Sequence, residues 1–139
     1  MTTTRRVYKP LPLTLAVRRA PKGMGLGLYA EETIPKNACI VEYTGKILSK
    51  DEETKSRSRY LFTITKNKTI DGNVKSNIAR YINHSCKPNA EAVIHKGRIF
   101  IFSIRPIKAG EPISYDYGKE YFDEYLSKGR CRCVACLES

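Results

Sequence analysis

Tryptophan is absent from this 139-residue chain, and histidine and cysteine are scarce, with two and five copies. So few side chains of those kinds confine any metal or thiol chemistry to a handful of positions. No apolar run approaches the ~20 residues of a membrane-spanning helix, so no segment reads as one. The opening stretch "MTTTRRVYKPLPLTLAV" is basic, but its apolar part is interrupted by proline, and it reads poorly as a secretory signal. Internal repeats and low-complexity tracts are lacking. Acidic residues are missing from positions 1–30, which carry Arg5, Arg6, Lys9, Arg18, Arg19 and Lys22, and the formal net charge is +11. Such a segment is either a solvated basic arm or a surface for DNA, RNA or an acidic protein. The expected compartment is the cytosol or the nucleus. Clustered, reduced cysteines there favour metal binding or catalysis over disulfides.

The length and a hydrophobic fraction of 41% suit one compact domain, near the lower size limit for an enzyme. The pattern is mostly β. "LTLAV" (13–17), "ACIVEY" (38–43), "YLFTI" (60–64), "KTIDG" (68–72), "AEAVI" (90–94), "RIFIFSI" (98–104) and "EPISYDY" (111–117) are short and rich in β-branched and aromatic residues. "HKGR" and "TKNKT" read as hairpin turns. "SKDEETKSRSR" (49–59) predicts a short polar helix capped by Ser49 or Asp51, and "KEYFDEYLSK" (119–128) a second.

Cys131, Cys133 and Cys136 form C-x-C-x2-C, three corners of a tetrahedral zinc site. Cys86, in "RYINHSCKPN" (80–89), is the obvious fourth donor, with His84 and Cys39 as rivals. Cys39 lies in an apolar run, where a cysteine usually serves as a small buried hydrophobe. A nucleophilic Cys86 with His84 as its base is the catalytic alternative. A spacing of two residues on a strand or turn rarely gives that geometry.

Four separated blocks then make the chain resemble the SET-domain protein lysine methyltransferases, over about residues 13–138. They are "KGMGLGLYA" (22–30) followed by "IPKNACIVEYTGKIL" (34–48); "RYLFTI" with "IDG"; "NIARYINHSCKPNA" (77–90); and "AGEPISYDYG" (109–118), trailed by the cysteine cluster. The resemblance implies a mostly β SET-domain fold of small curved sheets, short helices and a knot-like threaded C-terminal segment. It implies a basic arm at 1–12, a core at 13–118 and a zinc-binding tail at 119–139. It also implies that S-adenosylmethionine and the target lysine bind on opposite faces, joined by a narrow channel.

By the same resemblance, Met24, Gly25, Leu26, Gly27, Tyr60, Arg80, Asn83, His84 and Tyr117 serve the cofactor. Cys86 joins Cys131, Cys133 and Cys136 on zinc. The family's trailing cluster usually reads C-x-C-x4-C, so the loop here is shorter, though three ligands still fit one ion. Tyr43, Tyr60, Phe62, Tyr115 and Tyr117 line the lysine channel. Tyr117, Tyr115 and Tyr43 form its catalytic group, and the Tyr117 hydroxyl orients the amine.

The chemistry suits aromatic rings better than acids and bases. A lysine amine must be neutral to attack, and its reference pKa of about 10.4 makes that cost roughly 4 to 5 kcal/mol at neutral pH. Desolvation and a nearby cation lower the cost. Glu42 and Asp116, flanked by channel tyrosines, are expected to be hydrogen-bonded structural carboxylates, and His95 a loop histidine. The expected activity is methyl transfer to a lysine of a histone tail or another protein. The alternative is a non-catalytic module of the same fold that binds nucleic acid or chromatin through its basic arm.

Overall fold

The structure, a computed structural model, describes residues 6–20 and 25–118. Strands β1 (Leu15–Arg19) and β2 (Leu26–Ala30) form an antiparallel pair. Strand β3 (Cys39–Tyr43) is followed by β4 (Lys46–Leu48), helix α1 (Lys50–Lys55), β5 (Leu61–Thr65) and β6 (Lys68–Asp71). A 3-10 turn at Ile78–Tyr81 leads into β7 (Asn83–His84). Strands β8 (Ala90–His95), β9 (Arg98–Ser103) and β10 (Ser114–Tyr115) complete the described elements. Two three-stranded sheets, in the orders β3-β9-β8 and β4-β6-β5, stand beside the pairs β1-β2 and β7-β10.

Local chemistry accounts for the hairpins and the helix. Lys96 and Gly97 both have positive φ (50° and 75°), as a two-residue turn that follows strand twist requires. In α1 the Ser49 side chain accepts from Glu52 N while the Glu52 carboxylate accepts from Ser49 N, a reciprocal cap that settles the start. The helix ends at Lys55, short of the expected 49–59. The chain beyond it is recruited elsewhere, because Ser58 Oγ donates to Asp71 at 2.6 Å and accepts from Tyr60 N at 3.1 Å. The helix expected at 119–128 lies outside the described residues.

The core is organised by β9, whose residues Ile99 to Ser103 are all buried. Ile99 and Ile101 enter the main cluster with Leu28, Ile34, Ile40, Ile82, Ile107 and Ile113. Phe100 and Phe102 point the other way, onto Cys39, Tyr8 and Val93. A strand covered on both faces explains an unbroken apolar run where alternation would mark a half-exposed one. Each buried phenylalanine contributes on the order of 2 to 3 kcal/mol. The N-terminal residues supply the second cover. Tyr8 stacks on His95 at 3.6 Å, Leu11 N donates to Cys39 O at 3.0 Å, and Arg6 pairs with Glu91 at 2.5 Å.

Three strands, β2, β4 and the two-residue β7, lie where the sequence reading placed none. Strand β2 carries the glycine-rich block and pairs with β1, and β4 pairs with β6. Conversely, the expected strand 111–117 shortens to Ser114–Tyr115, parallel to β7. The residues before it bond to β2 instead. Ala30 N donates to Glu111 O at 3.0 Å and Ile113 N to Leu28 O at 2.8 Å. The segment 111–115 is thereby bonded to both β2 and β7, which draws three distant parts of the chain together.

Candidate active site

A continuous row of rings runs through that junction. Centroids are 5.5 Å apart for Tyr43 and Phe62, 6.4 Å for Phe62 and Tyr115, 5.0 Å for Tyr115 and Tyr117, and 5.3 Å for Tyr117 and His84. Tyr43 and Tyr115 are buried, at 4% and 6% exposure. Tyr60 joins through its backbone, since its carbonyl accepts from the Tyr43 hydroxyl at 2.7 Å and from Gly72 N at 2.8 Å. The Tyr117 hydroxyl donates to the Ile82 carbonyl. Hydroxyls held by backbone carbonyls keep their lone pairs directed away from the donor bond.

Gly72 lies flat against Tyr43. A Cβ there would come within 2.5 Å of ring atoms Cε1, Cζ and Oη. Asn77, 1% exposed, secures both flanks: Nδ2 donates to Gly72 O at 3.0 Å and Oδ1 accepts from Thr44 N at 3.2 Å. Asn89, 2% exposed, does the same for the C-terminal segment. Its Nδ2 donates to Pro112 O at 2.8 Å and its Oδ1 accepts from Ser114 N at 2.9 Å. Sequence reasoning passed over Gly72, Asn77 and Asn89 as site residues. The signal available was their place inside the blocks "IDG", "NIARY" and "CKPN".

Part of the expected cofactor set, Asn83, His84 and Tyr117 with the Leu26–Gly27 backbone, meets at the other end of the row, whereas Tyr60 and Arg80 lie by Tyr43 and Asn73. Asn83 Nδ2 donates to Leu26 O at 3.0 Å, bridging residues 57 apart in sequence. Gly27 is packed so that a Cβ would sit 3.1 Å from Asn83 Nδ2 and 3.2 Å from Tyr29 Cε1. Gly25 has φ +72°, a conformation side chains rarely adopt. Leu26 itself is exposed, and Met24 lies outside the described residues. Arg80 sits over the Tyr81 ring at 4.7 Å and near Tyr60 at 6.0 Å, with Nη2 donating to Tyr81 Oη at 2.6 Å and Nη1 to Asn73 Oδ1 at 3.2 Å. Its Nε is buried and has no partner among the described residues. An orphaned guanidinium N–H suits a small ligand bearing a carboxylate.

His84 is pinned at both ring nitrogens. Nδ1 accepts from Tyr117 N at 3.0 Å, so the ring proton resides on Nε2, which lies 3.4 Å from Cys86 Sγ. Burial pushes the imidazole below its ordinary pKa, opposed by the Asp116 carboxylate 3.8 Å from Nδ1. A neutral ring with its proton already facing the sulfur is poorly arranged to take a proton from that thiol, which counts against a Cys86 nucleophile. Cys39 is buried, and burial, then the charge of Glu42, push its thiol up to about 11. It is a small buried hydrophobe, as expected.

Glu42 forms a two-pronged pair with Arg98 at 2.9 and 2.6 Å, and Asp116 accepts from Gly118 N at 2.8 Å, so both carboxylates have structural partners. His95 is the last residue of β8 and stacks on Tyr8, whereas a loop position was expected. Among the described residues no group of three or more histidines, cysteines and acids forms a metal site. Cys131, Cys133 and Cys136 lie outside those residues, while Cys86 is exposed and next to the segment that leads to them.

Residues 25–118 match the SET domain family. The chain is 39% identical over 126 residues to Histone-lysine N-methyltransferase trr of Drosophila melanogaster, covering 82% of this chain and 5% of that protein. It is 41% identical over 123 residues to the Histone-lysine N-methyltransferase, H3 lysine-4 specific, of Schizosaccharomyces pombe, covering 79% of this chain and 13% of that one. Among solved structures, a humanized mutant of the Chaetomium thermophilum Polycomb Repressive Complex 2 superposes with TM-score 0.70 at 32% identity, over 76% of this chain and 15% of that one. An autoinhibited ctPRC2 bound to S-adenosylmethionine gives 0.68 at 32% identity, over 76% of this chain and 15% of that one. The chain therefore spans only a small part of each of these proteins.

Proposed function

The chain belongs to the SET-domain family, and from that premise we propose that it is an S-adenosylmethionine-dependent protein lysine N-methyltransferase. The observation that carries this reading is the row Tyr43, Phe62, Tyr115, Tyr117, ending against His84 where Asn83 holds the glycine-rich β2. An aromatic passage and a ligand-binding turn share Tyr117 as their meeting point.

When bound, S-adenosylmethionine supplies a methyl group on a cationic sulfonium. Asn83, His84, the Gly25–Gly27 backbone, Arg80 and Tyr60 would hold it, with Met24 and Leu26 beside them. The chain's own residues do the rest. The rings exclude water from a lysine side chain, which lowers the cost of its neutral amine. They also hold the amine in line for displacement. The Tyr117 hydroxyl, with its proton engaged by Ile82 O, presents lone pairs to an amine N–H and orients the nitrogen.

A histone tail is the substrate class that the names of the relatives favour, and it would place the protein at chromatin. Among the described residues no helix is long and apolar enough to cross a membrane. The zinc proposal is one ion held by Cys86 and the three tail thiols. An exposed thiol beside the start of the tail suits that donor set. Nucleic-acid contact through the basic arm would fall to cations other than Arg6, which is paired with Glu91 and lies 4.8 Å over Phe102.

Calorimetric titration with S-adenosylmethionine, followed by methyl labelling of histones and of a cell lysate, tests the reading. Saturable binding and a mapped methyl-lysine are expected. Absence of binding by the zinc-loaded full chain would refute the enzyme and leave the non-catalytic module.

A further inference from the structure

Two hairpin turns far apart in sequence are joined by one side chain. Lys68, the first residue of β6, donates from Nζ to the Gly97 carbonyl at 3.2 Å, and a Cβ on Gly97 would lie 2.7 Å from that Nζ. The tip of the β5–β6 hairpin thereby lies against the tip of the β8–β9 hairpin. Lys66 at one tip and Lys96 at the other are exposed. Tyr8, stacked on His95 at 3.6 Å, puts the exposed Lys9 one residue from that second hairpin. The turns "TKNK" (65–68) and "HKGR" (95–98) hold no acid. Carboxylates on the adjoining strands are already engaged, Glu42 by Arg98 at 2.9 and 2.6 Å and Glu91 by Arg6 at 2.5 Å. Among the described residues the ion pairs fall on cations other than Lys9, Lys66, Lys68 and Lys96. Uncompensated like charges gathered by tertiary contacts raise the local concentration of anions. The cluster also lies beside the ring row. Lys66 follows Phe62 by four residues, and Gly97 precedes Ile99, the register partner of Tyr43, by two. At about 3.3 Å per residue, both tips lie within roughly 13 Å of the Tyr43–Phe62 end, the end remote from His84.

We propose that the joined hairpin tips, Lys66, Lys68 and Lys96 with Lys9 beside them, are a docking surface for the phosphate backbone of duplex DNA. Ammonium groups on exposed turns meet phosphate oxygens as point charges and read no base sequence. Lys68 has three donors and gives one to Gly97 O, so two remain for a phosphate. The choice of DNA over RNA or an acidic protein rests on the proposed histone substrate, because histones carry wrapped DNA. Contact at the Tyr43–Phe62 end acts on how the substrate particle binds and leaves the methyl-transfer step alone. It therefore belongs in KM for a nucleosome and not in kcat.

Fluorescence anisotropy of a short labelled DNA duplex with the full chain tests the surface. Wild type should bind without sequence preference, and log affinity should fall against log salt with a slope of about −3, as roughly three neutralised phosphates require. The double variant Lys66→Gln, Lys96→Asn removes two charges, and asparagine tolerates the positive φ of 50° at position 96. It should bind ~10-fold or more weakly, with the slope reduced by about 2. The control is Lys36→Gln, Lys108→Gln, which loses the same charge from two exposed loops joined by the Ile34–Ile107 bridge. Those loops hold acids, since Lys108 N donates to Glu111 at 3.1 Å and Glu32 lies four residues before Lys36. The control should stay within about 2-fold of wild type. Turnover of a histone-tail peptide should be equal in all three proteins, while KM for a nucleosome should rise ~10-fold in the tip variant alone. Equal weakening in both variants would show an effect of net charge and overturn the proposal. Tighter binding of duplex RNA or of an acidic peptide at the same salt would overturn it too. A wild type that methylates the peptide yet binds no duplex overturns the surface alone. One that binds the duplex yet methylates nothing upholds the surface and refutes the enzyme.

Discussion

Replacing Gly72 by alanine tests whether the backbone of "IDG" seats the Tyr43 ring. Gly72 lacks the positive φ found at Gly25, Gly97, Gly110 and Gly118, so its backbone accepts a side chain and any penalty comes from space. The added Cβ would lie 2.5 Å from Tyr43 Cε1, Cζ and Oη, an ångström or more inside ordinary contact. Tyr43 is 4% exposed and its hydroxyl is held by Tyr60 O at 2.7 Å, so the ring cannot simply swing aside. Forcing a methyl into such packing costs about 1 to 3 kcal/mol. Weakening the hydroxyl bond adds about 0.5 to 1.5 kcal/mol. The stiffer unfolded chain returns about 0.4 to 1 kcal/mol. The net expectation is destabilisation of about 0.5 to 4 kcal/mol from these terms. In a Tyr43→Leu background the side chain stops short of the Cζ and Oη positions. There Gly72→Ala should be neutral, or stabilising by up to about 1 kcal/mol. Urea unfolding of the four proteins at saturating zinc completes the cycle. If alanine costs the same in both backgrounds within about 0.5 kcal/mol, the two residues are uncoupled and the steric argument is wrong.

Tyr117→Phe should keep the fold and most affinity for S-adenosylmethionine while kcat falls about 30- to 150-fold, the scale for one positioned hydroxyl; near-normal kcat would make Tyr117 a packing residue. Tyr115→Phe should shift the product from mainly monomethyl-lysine towards di- or trimethyl-lysine, because its hydroxyl is expected to hold a water where added methyls need room. Mass spectrometry of a peptide under excess cofactor decides this, and an unchanged product ladder counts against it. The Cys39 thiol, raised from 9.0 to about 11, favours the fold while it is neutral. That contribution is complete below about pH 9 and is lost as pH rises towards 11. Between pH 8 and 10, wild type should therefore lose more stability in urea than Cys39→Ala does, and parallel losses would refute the assignment. Asn89→Ala should destabilise by about 1 to 3 kcal/mol, since it takes the buried amide partner from Pro112 O and Ser114 N. A cost under about 1 kcal/mol in urea would show that water replaces the clamp.

The one-dimensional pattern was enough for whatever depends on neighbours along the chain. Ser49 with Glu52 marks a helix start by reciprocal capping, and "HKGR" marks a hairpin because Lys96 and Gly97 must take positive φ. "RIFIFSI" marks a strand by its aromatic and β-branched side chains, while its burial on both faces is a tertiary result. The blocks "RYINHSC" and "GEPISYDYG" carried the family resemblance, hence the candidate residues. The chain could not disclose partners that only long-range pairing supplies. Strands β2 and β4 have weak local preference and exist through their registers with β1 and β6. "EPISYDY" looks like one strand, yet its first residues bond to β2 and only Ser114–Tyr115 pair with β7. The second core on Tyr8, Phe100 and Phe102 turned the described part of a basic arm into a cover for the β3-β9-β8 sheet. Hydrogen-bond direction is likewise a tertiary property. That Tyr43 gives its hydroxyl to Tyr60 O, and that His84 faces Tyr117 N with one nitrogen and Cys86 with the other, follows from where the folded backbone puts each carbonyl and N–H. Residue identity supplied the donors and acceptors; only the crossing of residues 111–117 between β2 and β7 decided which of them meet.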